Sequence, residues 1–136
     1  MKNKYENYMH SELTGKIIKC AFEVYNELSY GLPERIYRRA FEKSLAINNL
    51  SYKREVYELI TFKNQIIGKY YLDFLIENSV AVEMKVRNEI YQKDVIQLLS
   101  YLKAEKLTVG LITAFTKNGV KIKRIANTPD SVNQRD

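Results

Sequence analysis

Two short β-forming runs with a turn between them constrain the fold of this chain more than any other feature. Residues 70–76 (YYLDFLI) and 80–86 (VAVEMKV) are rich in β-branched, aromatic and aliphatic side chains. The turn formers Glu77, Asn78 and Ser79 lie between them. The pattern therefore predicts two antiparallel strands joined by a three-residue loop.

The alternation of side chains selects the register of this hairpin. A three-residue loop predicts one continuous apolar face, made by Leu72, Phe74, Ile76, Val80, Val82 and Met84. In this register Asp73 lies opposite Glu83, and Lys85 projects from the same face as Glu83. A two-residue loop pairs Asp73 with Met84 and mixes charge into the apolar set, so we reject it.

Two carboxylates and an ammonium group on one sheet face predict a ligand-binding site. Directly opposed strand residues have Cβ atoms about 4.5–5.5 Å apart, so Asp73 and Glu83 can share one divalent cation. Two anions this close repel each other unless a positive charge lies between them or one is protonated. Lys85 offsets part of that charge and can orient or activate a water. This chemistry suits phosphodiester hydrolysis; the alternative is an exposed sheet face with an ordinary ion pair.

The composition fits one small soluble domain. The chain has 136 residues, of which 46% are hydrophobic and 28% charged, and nothing in its middle resembles a linker. We expect a polar arm at 1–10, a single domain at 11–126 and a polar tail at 127–136. No apolar run approaches the roughly 20 residues of a membrane span. One Cys and one His are too few for a disulfide or a zinc cage, and a cytoplasmic location is expected.

The hydrophobic spacing predicts a layered α/β domain. Apolar residues three and four apart mark helices over about 11–28 and 89–106, and Pro33 suits the first turn of another helix between them. A strand is expected at 54–62, and a turn at Lys63 and Asn64 leads from it into the long strand that ends at Asp73. Further strands are expected at 80–86, 109–115 and 120–126. This order predicts a mixed β-sheet flanked by α-helices.

The charge balance favours a polyanionic partner. The chain has 22 basic and 16 acidic residues and a net charge of +6, and basic side chains gain free energy by displacing counterions from phosphates. Nucleic acid fits better than an acidic protein, although solvated protein faces are also often basic. We expect contacts to nucleic acid from Arg35 and Arg38 on the second helix and from Lys53 and Arg54 at a strand entrance.

The chain resembles a known family at these positions. GLPERIY at 31–37 matches the motif of the GxxExxY proteins, a branch of the PD-(D/E)xK nuclease superfamily with a restriction-endonuclease-like core. Asp73 in YLDF matches the superfamily's Asp, and Glu83 and Lys85 in VEMK match its E-x-K. The similarity runs from about Leu13 to Ile125. It departs from the family pattern at Leu72, where Pro often precedes the Asp, and at Ser29, where Gly is common.

The resemblance implies a nuclease that hydrolyses phosphodiester bonds, with DNA as the expected substrate and Mg²⁺ or Mn²⁺ as the cofactor. Asp73, Glu83 and the Met84 carbonyl are implied to hold the ion, and Lys85 to align or activate the water. Glu34 resembles a helical Glu that adds an acidic ligand or a water contact in related nucleases. Its alternative role is a favourable interaction with the positive N-terminus of the helix.

Gln97 and Tyr101 in QLLSYL resemble the Q-x-x-x-Y element of RecB-like nucleases. They lie four residues apart and so share a helical face. Gln97 is expected to hydrogen-bond Lys85 or a phosphate, and Tyr101 to contact the nucleic-acid backbone; the alternative is that both cap an edge of the core.

Two other functions remain open. One is a non-catalytic module that binds nucleic acid or protein with the same fold, and the other is an accessory subunit that acts only with a partner. A homodimer would make it easier to cut both strands of a duplex.

Overall fold

Three helices and five strands make up residues 10–128, the part of the chain that the computed structural model describes. In chain order they are α1 (Ser11–Leu28), α2 (Glu34–Ile47), β1 (Tyr52–Phe62), β2 (Gln65–Ile76), β3 (Val80–Val86), α3 (Gln92–Glu105), β4 (Val109–Thr116) and β5 (Gly119–Ala126). The arm expected at 1–10 and the tail expected at 127–136 lie almost entirely outside the described residues. Within residues 10–128, no helix is both long enough and apolar enough to cross a membrane.

The strands form one mixed sheet in the order β1-β2-β3-β4-β5. β3 and β4 are parallel and are connected by α3, while the other neighbouring strands are antiparallel. This confirms the expected α/β architecture of a mixed sheet flanked by helices. A parallel pair needs a crossover connection, and the helix between β3 and β4 supplies it.

Helices cover both faces of the sheet. On one face α1 and α2 pack on a first core cluster, which includes Ile17, Val24, Tyr37, Phe41, Phe74, Ile76, Val80, Val82, Met84, Leu111 and Phe115. On the other face α3 packs on a second core cluster made by Leu72, Ala81, Leu98, Tyr101, Leu102, Ile112 and Ile125. A strand between two helical layers is buried on both sides, which explains why every residue of β4 is buried.

Local signals set where the elements begin and turn. Lys63 and Asn64 both have positive φ, 50° and 63°, so the predicted turn between β1 and β2 is confirmed as a two-residue primed turn. α3 begins at Gln92, three residues later than expected, because the Asp94 side chain accepts a hydrogen bond from the Tyr91 amide and caps the helix there.

The β1–β2 hairpin exposes many large apolar side chains. The exposed large apolar residues of β1 and β2 are Tyr57, Leu59, Ile60, Phe62, Ile66, Ile67 and Tyr71. We call this set the hairpin patch. Exposed apolar side chains concentrated on one hairpin are typical of an interaction site.

The predicted β2–β3 register is confirmed over three pairs and then changes. Phe74 pairs with Val82, and Ile76 pairs with Val80. The expected pairing of Leu72 with Met84 is not formed, because the Met84 amide donates to the Asp73 side chain. Leu72 packs in the second core cluster rather than with Phe74, so the continuous apolar face that we expected is wrong at this residue.

A local break in β1 and β2 explains the change of face. Arg54 pairs with Phe74 and Val56 with Leu72, but the residues between them, Glu55 and Asp73, form no regular pair. Glu55 has a φ of 52°, which lies outside the extended region and turns the strand locally. Residues on the two sides of this break therefore face opposite helical layers.

Candidate active site

Asp73 lies at the break in β2 and connects the two sides of the sheet. Its Oδ2 accepts a hydrogen bond of 2.7 Å from the Met84 amide, and its Oδ1 lies 3.6 Å from Arg38 Nη1 on α2. Burial raises the pKa of Asp73, while the Met84 amide and the Arg38 guanidinium act to lower it. The carboxylate is therefore held by one strand and one helix in a position that disfavours its charge.

Glu83 on β3 is a buried carboxylate with one free oxygen. The residue is 6% exposed, and its Oε2 lies 2.9 Å from Lys85 Nζ. Its Oε1 has no hydrogen-bond partner among the described residues. Burial, followed by the negative charge of Asp73, raises the pKa of Glu83 to about 7. The charges of the two carboxylates thus interact, but the predicted position of Asp73 directly opposite Glu83 in the strand ladder is wrong, because regular pairing ends at Phe74 and Val82.

Lys85 lies between Glu83 and a third carboxylate that the sequence analysis missed. Lys85 Nζ is 4.0 Å from Asp94 Oδ1, and Asp94 is 2% exposed. Asp94 Oδ2 accepts hydrogen bonds from the Tyr91 amide, at 2.8 Å, and from Arg87. Burial acts to raise the pKa of Asp94, but these two donors outweigh it and lower the pKa.

Tyr70 on β2 is a second residue that the sequence analysis missed. Its hydroxyl is buried and has no hydrogen-bond partner among the described residues. Burial raises its pKa, and so do the charges of Glu83, Asp73 and Asp94. The hydroxyl therefore lies in the same acidic environment as the two predicted carboxylates. The only signal in the sequence was its position three residues before Asp73.

Glu34 and Arg38 come to the site together from α2. They form an ion pair one helical turn apart, and the charge of Glu34 helps to raise the pKa of Asp73. Arg38 lies between Glu34 and Asp73. Glu34 therefore lies at the edge of the site and is connected to it through Arg38. Its position in the first turn of α2 also fits the alternative role at the helix N-terminus.

Two other residues of the predicted site, Gln97 and Tyr101, lie on α3. Gln97 is exposed and lines a cavity of about 200 Å³ with Tyr70, between α3 and the β1–β2 hairpin. Tyr101 is 3% exposed and packs in the second core cluster, so the expected contact with a nucleic-acid backbone has no exposed surface to use. Burial, followed by the charges of Glu105 and Glu58, raises its pKa to about 12.

The basic residues expected to bind nucleic acid are mostly on the surface. Arg35 and Lys53 are exposed. Arg54 is exposed too and forms an ion pair of 3.3 Å with Glu42 on α2. Of the four predicted basic residues, the structure brings only Arg38 within ion-pair distance of a site carboxylate.

The donor set at the site fits a small divalent cation. Oxygen ligands from carboxylates and carbonyls are those that Mg²⁺ and Mn²⁺ prefer, and the buried, unpartnered Oε1 of Glu83 is an oxygen that such an ion could bind. Within residues 10–128 no group of three or more Asp, Glu, His or Cys side chains is already arranged around one point. A metal there would depend on Asp73, Glu83, backbone oxygens and solvent.

Comparisons with known proteins agree with this fold. A family model described as the PD-(D/E)XK nuclease superfamily matches residues 11–125. A crystal structure of SSO0001 is 20% identical in sequence, covers 73% of this chain and has a TM-score of 0.54. The chain spans about half of that protein, 52% of its length, and the likeness shows the fold alone. No curated protein matches the chain.

Proposed function

Because the chain belongs to the PD-(D/E)XK nuclease superfamily, we propose that it is a divalent-metal-dependent nuclease that hydrolyses phosphodiester bonds in DNA. The observation that carries the proposal is the buried free oxygen of Glu83 beside Asp73 and Lys85. A buried carboxylate with an unmet acceptor is costly in the isolated protein, and a bound cation would offset that cost. The sequence GLPERIY at 31–37 further supports a place in the GxxExxY branch.

Asp73 and Glu83 are proposed to hold Mg²⁺ or Mn²⁺, with the Met84 carbonyl as a third protein ligand. The amide and carbonyl of one strand residue point to the same neighbour. Since the Met84 amide points to Asp73, its carbonyl points to that side as well. When bound, the cation supplies charge that polarises the scissile phosphate and offsets the negative charge that builds up on it.

Lys85 and Arg38 act on the reacting groups in this proposal. The ammonium of Lys85 lies 2.9 Å from Glu83 Oε2, so it lies beside the proposed metal site and can donate a hydrogen bond that orients a water next to the phosphate. Arg38 lies on the other side of Asp73 and can contact a phosphate oxygen. Glu34 fixes Arg38 through their ion pair.

Nucleic acid is proposed to run across the site on its basic and polar neighbours. Arg35, Lys53 and Arg54 are exposed and provide phosphate contacts, in keeping with the net charge of +6. Gln97 lies beside Tyr70 and can contact the strand next to the cleaved bond. Tyr101 is left with a packing role because it is buried. The protein is proposed to act in the cytoplasm.

Cleavage of labelled nucleic acids tests the proposal. Single-stranded and double-stranded DNA and RNA are incubated with Mg²⁺, Mn²⁺ or EDTA and with wild type, Asp73→Ala or Lys85→Ala. We expect metal-dependent cleavage by wild type and its loss in both variants. Glu77→Gln serves as the control, because Glu77 is an exposed acid that binds Ser51 outside the site, and it should cut like wild type. Cleavage that survives Asp73→Ala, or that proceeds in EDTA, contradicts the proposal.

The hairpin patch favours a second candidate, in which the chain works with a protein partner or with a second copy of itself. Seven large exposed apolar side chains are more than phosphate binding requires. An accessory subunit or non-catalytic binding module would bind nucleic acid without cutting it, and an accessory subunit would cut only when the partner is added. Light scattering on wild type and on an Ile66→Lys, Ile67→Lys variant separates a homodimer, which dissociates in the variant, from a monomer.

A further inference from the structure

Lys85 has two carboxylates within reach, and only one of them belongs to the proposed metal site. Its Nζ lies 2.9 Å from Glu83 Oε2 and 4.0 Å from Asp94 Oδ1. If Glu83 binds a divalent cation through its unpartnered Oε1, the cation and the ammonium group on Oε2 share one carboxylate. Two positive charges on the same buried acid repel each other, which favours movement of Lys85 away from Glu83.

Asp94 is built as the fixed alternative partner. It is 2% exposed and lies in the first turn of α3. Its Oδ2 accepts hydrogen bonds from both the Tyr91 amide and the Arg87 guanidinium, and its Oδ1 faces Lys85. A carboxylate held by a backbone amide and a guanidinium cannot easily move toward Lys85, but the flexible lysine can move toward it. A shift of about 1 Å brings Nζ from 4.0 Å to ordinary hydrogen-bond distance.

We propose that Asp94 is a positioning residue that receives the Lys85 ammonium when a divalent cation occupies the site. This inference rests on the proposed metal-dependent function. Asp94 keeps Lys85 close to the reacting phosphate while Glu83 binds the cation. It also makes it easier for the Lys85 ammonium to leave Glu83, because a second carboxylate is within reach. It therefore couples metal binding to the position of the lysine.

Binding of Mn²⁺ alone, measured by calorimetry without nucleic acid, tests the coupling. We compare wild type, Lys85→Met, Asp94→Asn and the double variant, which form a double-mutant cycle. Lys85→Met should bind Mn²⁺ more tightly than wild type because it removes the competitor for Glu83. Asp94→Asn should bind it about tenfold more weakly. In the Lys85→Met background the loss caused by Asp94→Asn should shrink to less than about threefold.

Arg87→Gln separates positioning from support of the fold. Asp94 also caps α3 and binds Arg87, so Asp94→Asn can lower stability for unrelated reasons. Asn keeps an oxygen that can accept the Tyr91 amide, and Arg87→Gln removes the other partner of Asp94 while leaving the oxygen that faces Lys85. We expect Arg87→Gln to lower the melting temperature without weakening Mn²⁺ binding. Mn²⁺ binding that is weakened as much in Arg87→Gln as in Asp94→Asn would overturn the positioning role.

The outcomes distinguish this inference from the nuclease function. If Asp94→Asn weakens Mn²⁺ binding equally with and without Lys85, the inference fails even if the wild type cuts DNA. If the cycle shows the expected coupling and the wild type cuts nothing, the inference stands and the nuclease function fails. In an active wild type, Asp94→Asn should lower kcat at saturating Mn²⁺ and leave KM for DNA unchanged. No Mn²⁺ binding by the wild type overturns the inference.

Discussion

Replacing Glu83 by Gln should stabilise the metal-free protein at neutral pH. Glu83 is 6% exposed, and burial together with the nearby charge of Asp73 raises its pKa to about 7. Above that pH the folded protein must hold a buried negative charge beside another acid, and Glu83 Oε1 has no hydrogen-bond partner within residues 10–128. Gln has nearly the shape of the protonated acid and stays neutral, so it removes this unfavourable charge.

The magnitude and the sign follow from the two pKa values. The difference between the ordinary value of 4.5 and about 7, at about 1.4 kcal/mol for each pKa unit, corresponds to about 3 kcal/mol. Because the pKa is higher in the folded state, the favourable contribution is complete below pH 4.5 and is lost as the pH rises through about 7. The wild type should therefore lose up to about 3 kcal/mol of unfolding free energy over this interval. Glu83→Gln should lose much less, because only the other carboxyl groups whose pKa burial raises, Asp73 and Glu58, still contribute a loss of this sign.

Urea unfolding in EDTA at several values from pH 4.5 to pH 8 measures the effect. We expect the two curves to meet near pH 4.5 and Glu83→Gln to be more stable by at least about 1 kcal/mol at pH 8. Glu77→Gln is the control with the opposite sign, because hydrogen bonds from the Ser51 amide and hydroxyl lower the pKa of Glu77. That variant should lose stability at neutral pH. A Glu83→Gln protein that is less stable than wild type at pH 8 would refute the reasoning.

Three shorter predictions test the surroundings of the site. Tyr70→Phe should leave the unfolding free energy in urea unchanged or raise it by up to about 1 kcal/mol, since the buried hydroxyl has no partner to lose; a loss of stability contradicts this. Gly110→Ala should lower the unfolding free energy by about 1–3 kcal/mol, because the new Cβ would lie 3.1 Å from the Ala81 carbonyl oxygen. Gly15→Ala places its Cβ in open space and should raise the unfolding free energy by about 0.5–1 kcal/mol. Lys53→Gln should weaken DNA binding at all sequences and reduce the salt slope of log K by about 1 in a fluorescence titration; an unchanged slope contradicts a phosphate contact.

Much of the fold could be predicted from the sequence because it depends on local patterns. The helical spacing in α1 and the turn at Lys63 and Asn64 are properties of neighbouring residues, and the structure confirms both. The register of β2 and β3 followed from keeping apolar residues together, and it holds for the three pairs from Phe74 to Ile76. Patterns of this kind can be recognised in a window of about ten residues, without knowledge of the rest of the chain.

The parts that were missed depend on contacts between distant elements. Asp94 looked like an ordinary polar residue in an expected helix, and nothing in the sequence indicated that α3 would bring it within 4.0 Å of Lys85. The Tyr101 position was interpreted through its motif, but packing against β-sheet residues decides that it is buried. In the same way, the alternation of side chains predicted that Leu72 shares a face with Phe74, but the break beside Glu55 turns Leu72 toward the other helical layer.

The break at Asp73 also shapes the candidate site. In a regular antiparallel ladder, Leu72 and Met84 would exchange both backbone hydrogen bonds. Here the Met84 amide donates to the Asp73 side chain instead, which fixes the position of the Asp73 carboxylate. The departure from the predicted pairing places Arg38, from one helical layer, beside Asp73. Lys85 and Asp94 approach Glu83 from the other side of the sheet. A variant that restored regular pairing at Glu55 and Asp73 would therefore be expected to gain strand hydrogen bonds and lose the site.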